Sequence, residues 1–164
     1  MLSVHPIKQV DIIRSFGDGE SNLRADHASW AIFGDIRKIG IKTRLWDDRQ
    51  VIQGFKVELI DGTKKAVGME LDDMSNVSSF NLDPDDHIVY PFTLRSGWYI
   101  DKIGFHTKKG KVLGPVGGDG GDIRRQPHNI SECHYLWGIL GRTVVTQGAP
   151  CIYMLEFKVI SLSS

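Results

Sequence analysis

Two cysteines in 164 residues are too few for the disulfide framework of a small secreted scaffold. Net charge is missing as well, because 20 lysines and arginines balance 20 aspartates and glutamates. A nucleic acid or an anionic membrane surface demands a basic excess or a basic stripe, and neither is visible. No nucleic-acid partner is therefore expected. No apolar run approaches the ~18 residues of a membrane span, so membrane insertion is not expected either. The opening residues, Met1 to Lys8, lack the continuous apolar core of a signal peptide. The expectation is a cytoplasmic chain or a mature secreted form. The length suits one domain, 1–164, with a core of its own.

Helical periodicity is absent too. Nowhere do apolar residues recur at a 3.6-residue period for three turns. From Trp30 onward the period is two: Ile36, Ile39 and Ile41, then Val51, Phe55, Val57 and Leu59. Asp61-Gly62 predicts a hairpin between Leu59-Ile60 and Val67. A short strand is expected at Val77–Leu82, another at His87–Leu94, and a closing pair at His134–Leu140 and Cys151–Ile160. Residues 1–15 read as an N-terminal arm or edge strand, and the acidic run Asp83–Asp86 as a solvated turn. The fold class is all-β.

Several chemistries find no support. No Gly-x-Ser-x-Gly or other nucleophile motif occurs, so no enzyme is expected. His128, Cys133 and His134 lack a fourth ligand at zinc spacing, and Asp83–Asp86 lacks the calcium-loop pattern. No cofactor and no metal are expected. The glycine-rich segment Gly114–Gly121 lacks the Gly-Lys-Ser/Thr of a phosphate cradle.

A repeat is present. Asp35-Ile-Arg-Lys-Ile-Gly-Ile-Lys-Thr43 aligns with Tyr99-Ile-Asp-Lys-Ile-Gly-Phe-His-Thr107, and Cys151 to Val159 keeps the apolar positions. In each copy the first apolar step is three residues and the next is two. An odd step cannot stay on one strand face, so a bulge should re-aim Asp101, which lies between Ile100 and Ile103. Three copies in one domain imply a closed, pseudo-threefold sheet arrangement.

The stretch 95–121 is the richest in chemistry. Arg95-Ser-Gly-Trp-Tyr-Ile-Asp101 makes a tight turn ending in a carboxylate, a pure acceptor able to take two hydroxyl donors. Gly117-Gly-Asp-Gly-Gly121 offers backbone amides with no Cβ in the way. Of the neighbours Trp98 and Tyr99, one should wall a pocket and the other enter the core.

Ser96-Gly-Trp-Tyr-Ile-Asp101 followed by Gly114-Pro-Val-Gly-Gly-Asp-Gly-Gly121 resembles the jacalin-related lectins, with Val116 replacing an aromatic. The resemblance is strong over 95–121, moderate over 30–62 and weak beyond 130. It implies a β-prism I fold, three Greek-key four-stranded sheets about a pseudo-threefold axis. It also implies a sugar site made by Gly97, Trp98, Tyr99, Asp101, Gly120 and Gly121. On the repeat alignment Arg37 stands at the Asp101 position of the first copy. In the third, Ile152 or Tyr153 stands there, and Glu20 replaces the last glycine of the N-terminal loop. One intact site is therefore expected. The family's galactose branch depends on a free N-terminus next to the site, so mannose or glucose glycans are the expected partners. An assembly scaffold with a vestigial pocket is the alternative. A single weak site favours a homodimer, possibly disulfide-linked through Cys133 or Cys151, which the strand register should keep from bonding to each other.

Overall fold

The computed structural model describes residues 3–4, 28–124 and 134–163. Among them there is no helix, and the strands form three four-stranded antiparallel sheets. The first sheet takes β3 (Ile36–Trp46), β4 (Arg49–Leu59), β5 (Lys64–Val67) and β6 (Val77–Asn81), in the order β5-β4-β3-β6. The second takes β7 (Ile88–Ser96), β8 (Ile100–Thr107), β9 (Val112–Gly117) and β10 (Asp122–Ile123), in the order β10-β7-β8-β9. The third joins both ends of the chain. There β1 (Ser3–Val4) and β2 (Ala28–Phe33) flank β12 (Ala149–Ser163) and β11 (His134–Thr146), in the order β1-β12-β11-β2.

Each sheet is thus a long central hairpin, β3–β4, β7–β8 or β11–β12, with one strand added to each side. The turn chemistry supports the hairpins. Asp47 and Asp48 adopt φ of 50° and 63°, and Gln147 and Gly148 adopt 51° and 84°, the left-handed pair that a two-residue hairpin turn requires. The expected hairpin at Asp61-Gly62 joins β4 to β5, with Gly62 at φ 91°. Of the N-terminal segment, Ser3–Val4 is an edge strand pairing with Leu162 and Ser163; the rest of 1–15, and the first glycine loop at 16–20, lie outside the described residues.

The register of the three hairpins reveals what the repeat is. Arg95 pairs with Lys102 and Ser96 with Ile100, so Asp101 is the extra residue of a bulge on β8. Lys42 and Thr43 face Gly54 and Ile52, leaving Gln53 extra on β4. Arg142 and Thr143 face Met154 and Ile152, leaving Tyr153 extra on β12. Ile52, Ile100 and Ile152 precede the bulges and are fully buried, as are Phe55, Ile103 and Leu155 after them. The next inward positions, Val57, Phe105 and Phe157, complete the axial core, with Phe105 edge-on to Phe157 at 6.2 Å.

This register corrects the alignment drawn from the sequence for the first copy. Arg37 does occupy a bulge, between Ile36 and Lys38, but on β3, the other strand of the hairpin. The counterparts of Asp101 are Gln53 and Tyr153. In the first hairpin both strands carry a bulge flanked by the same apolar spacing, Ile36-Ile39-Ile41 on β3 and Ile52-Phe55-Val57 on β4, so spacing alone cannot distinguish them. A second correction concerns Asp83–Asp86. Asp83 and Asp85 are exposed, but Asp86 is buried. Its carboxylate accepts from Thr107 Oγ1 at 2.5 Å and from the amides of His87 and Lys109 at 2.9 and 3.0 Å. It is a structural pin between β7 and the β8–β9 turn.

Candidate functional site

The tips of the three central hairpins share a small second core: Val51, Tyr99, Val144, Cys151, Tyr153 and Met154, with Trp46 against it. Contacts across the units hold the tips together. Arg44 Nη1 donates to the carbonyls of Thr146 and Ala149 at 2.7 Å each. Trp46 meets Tyr99 edge-on with ring centroids 4.7 Å apart. Tyr99 is accordingly the core residue of the Trp98–Tyr99 pair, while Trp98 is 42% exposed.

The turn closes with the Gly97 amide donating to the Tyr99 carbonyl at 3.0 Å. Two residues on, the bulge throws the Asp101 side chain toward the glycine loop. The structure brings Gly97, Gly120 and Gly121 against that carboxylate, while the Tyr99 ring packs in the hairpin-tip core and Trp98 is exposed in the same turn. A Cβ on Gly121 would lie 2.5 Å from Asp101 Oδ2 and 2.4 Å from the Ser96 carbonyl carbon. One on Gly120 would lie 2.5 Å from Asp101 Oδ1. Glycine is required at both positions because the loop backbone itself packs on the carboxylate. The loop is pinned at its start by the Gly118 amide, which donates to the Asp101 carbonyl at 2.9 Å. It is pinned at its end by Arg95, whose guanidinium donates to the carbonyls of Asp119, Gly120 and Gly121 at 3.0–3.1 Å.

Asp101 itself is 2% exposed, and its Oδ2 has no hydrogen-bond partner among the described residues. Burial raises its pKa above the ordinary aspartate value. The pull of Arg49, the Gly97 amide and Arg95 opposes that rise without cancelling it. Arg49 belongs to the β3–β4 tip of the first unit, and its Nη2 lies 3.7 Å from Asp101 Oδ1. Sequence reasoning missed this residue, since the contact crosses from one unit to another. The two aspartates before it mark a hairpin tip, which is the only local signal. Clefts of about 210, 80 and 500 Å³ lie elsewhere on the surface.

The counterpart positions hold different chemistry. Gln53 Nε2 donates to the Gly68 carbonyl at 2.9 Å, and Met69 and Glu70 follow where the second unit has its glycines. Tyr153 is buried. Arg37 contributes nothing at this end.

No family model and no curated protein matches the sequence. Solved structures do match. A prostate-specific WGA16 glycoprotein lectin superposes with a TM-score of 0.64 at 15% identity, over 84% of this chain and 93% of that one. Calystegia sepium agglutinin gives 0.63 at 17% identity, over 95% and 99%. Artocarpin complexed with methyl-α-mannose gives 0.60 at 17%, over 93% and 99%. The chain has the β-prism fold of these lectins. In this prism the second unit alone pairs a bulged carboxylate with a glycine loop, among the described residues. Cys151 is fully buried and free, so a disulfide from it to another chain would require opening the hairpin-tip core. That half of the covalent-dimer expectation is withdrawn, and Cys133 lies outside the described residues.

Proposed function

We propose that this protein is a non-enzymatic lectin whose one site is built from Gly97, Trp98, Tyr99, Asp101, Gly120 and Gly121. The observation that carries the reading is the buried, unpartnered Oδ2 of Asp101 enclosed by bare glycine backbone. A buried polar atom left unpaired costs about 1–3 kcal/mol, and a ligand hydroxyl is the kind of donor that removes that cost. Backbone amides supply further donors with no side chain to order, and the exposed face of Trp98 suits the C–H edge of a pyranose. Mannose- or glucose-type glycans are the proposed ligands. The methyl-α-mannose bound by artocarpin supports that class, and no metal enters the contacts.

A single monosaccharide site should bind weakly, on the order of millimolar or about −4 kcal/mol. Useful avidity then calls for linked sites, so a non-covalent dimer is proposed; a monomer in equilibrium sedimentation refutes it. The low exposure of Asp101 favours the competing reading, a scaffold whose pocket is vestigial. Glycan-array binding competed by methyl-α-mannoside, and weakened about tenfold or more in Asp101→Ala, supports the lectin. A well-folded protein with no competed binding to any array glycan supports the scaffold.

A further inference from the structure

Arg49 and Asp101 form an incomplete pair. Their closest atoms are 3.7 Å apart, beyond hydrogen-bond range. The Arg49 side chain makes no hydrogen bond to any described residue, and Asp101 Oδ2 accepts none. Among the described residues, a guanidinium with unused donors thus stands beside a carboxylate with unused lone pairs. The gap between them has a definite capacity. An oxygen at the usual distance of about 2.8 Å from each partner spans two atoms 3.7 Å apart without strain, because the separation is less than twice that distance.

Among the described residues that contact the Asp101 carboxylate, the Arg49 side chain is not tied down by a hydrogen bond. The glycine loop is tied down through three carbonyls by Arg95. The turn before Asp101 is tied by the Gly97 amide and by Arg124, which donates to Ser96 Oγ at 2.7 Å. The Arg49 side chain, by contrast, is 39% exposed and lies over Gly120, where a Cβ would meet it at 2.5 Å. Arg49 is thus the half-exposed neighbour of an otherwise buried carboxylate.

We propose that Arg49, delivered from the neighbouring unit, is a sugar-contacting and specificity-determining residue that clamps one ligand hydroxyl together with Asp101. The proposal rests on the sugar-site reading above. In the clamp the hydroxyl donates its proton to the Asp101 carboxylate, and its oxygen accepts from an Arg49 N–H. Each bond strengthens the other, since the same group is donor and acceptor at once. The ligand class is therefore narrower than any sugar that fits. The sugar must carry a free hydroxyl at the clamped position: a deoxy analogue at that carbon leaves both charged partners unpaired, and an O-methyl analogue, whose ether oxygen can still accept from Arg49, leaves Asp101 without its donor.

Titration calorimetry with methyl-α-mannoside and its monodeoxy analogues tests this in the parent, Arg49→Ala, Arg49→Lys and Asp101→Asn proteins. Arg37→Ala, altering an arginine at a bulge away from the site, serves as a control expected to bind like the parent. Arg49→Ala should weaken methyl-α-mannoside roughly tenfold, and Arg49→Lys, a point charge without the fork, should fall between. One deoxy analogue should be insensitive to Arg49→Ala, because the hydroxyl that feels the arginine is already gone. Arg49→Ala and Asp101→Asn should combine sub-additively. Parental or tighter binding by Arg49→Ala overturns the clamp, as does an equal loss on every analogue. If the folded parent binds none of the sugars, the site reading itself fails, and that result is distinct from a parent that binds while Arg49→Ala matches it.

Discussion

Replacing Asp101 by Asn should make this protein more stable and worse at binding. The carboxylate is buried with one oxygen unpaired, a penalty of about 1–3 kcal/mol. Arg49 offsets part of it from 3.7 Å. The pKa of Asp101 is nevertheless raised, with burial as the largest cause, so the penalty exceeds what its cationic neighbours return. Removing the charge should then add about 1 kcal/mol at pH 7, which for a chain of this size means roughly 2–4 °C in Tm. The pH dependence gives a sharper signature. Because the folded-state pKa lies above the ordinary value of 3.8, the folded protein holds this proton more tightly than the unfolded chain does. The contribution of Asp101 to stability is therefore greatest below pH 3.8 and declines as pH rises towards the folded value. Urea unfolding of parent and Asp101→Asn from pH 3 to 7, plotted as a difference, isolates that group from all others. The variant should gain on the parent as pH rises, then hold a constant advantage. A variant that loses ground with rising pH, or is less stable by 1 kcal/mol at pH 7, refutes the reasoning and shows that the carboxylate has a stabilising partner.

Asp86 should behave in the opposite sense. Burial raises its pKa, but its bonds to Thr107, Lys109 and His87 bring the net value below the usual range, so its stabilisation exists above the ordinary pKa and is lost as pH falls through the folded one. Asp86→Ala should cost about 2–4 kcal/mol at pH 7 and markedly less at pH 2 in the same urea assay. Gly121→Ala puts a Cβ within 2.5 Å of Asp101 Oδ2 at a φ of 68°; it should lower Tm and abolish sugar binding, and unchanged calorimetric affinity would contradict the packing of the loop on the carboxylate. Burial pushes the Cys151 thiol up to about 11, so it should resist a thiol reagent at pH 8 in the native protein and react fully in urea. Fast native labelling of Cys151 would mean that the hairpin-tip core is open.

The fold was legible because the core obeys a simple spacing. Ile100, Ile103 and Phe105 place a three-residue step before a two-residue step, and only a bulge reconciles that with one buried face. The meeting of Gly97, Asp101 and Gly121 in the candidate site was legible, since all three fall within one unit and glycine leaves a clear mark in sequence. Three things were not legible. Arg49 reaches Asp101 from another hairpin, and nothing in linear order reports that two tips converge on a common small core. The partner of Asp101 in the first unit was misassigned to Arg37, because strands that run in opposite directions through the same core carry the same apolar rhythm. Asp86 was misread for a related reason: a run of acidic residues looks solvated until the register shows that Thr107 and the β8–β9 turn fold back over one of them.

The three bulges also matter for how such a protein changes. Gln53, Asp101 and Tyr153 are presented by the same backbone kink, after an isoleucine that is fully buried in every case. The kink therefore depends on the inward-facing neighbours and is indifferent to whether an amide, a carboxylate or a phenol projects from it. Selection can rewrite the projecting side chain without disturbing the scaffold, and the three units amount to three trials of one mounting. Building a second copy of the candidate site would call for a carboxylate and a short run of glycines, with no new backbone design. A site lost from a unit is accordingly a change of cargo that the architecture tolerates.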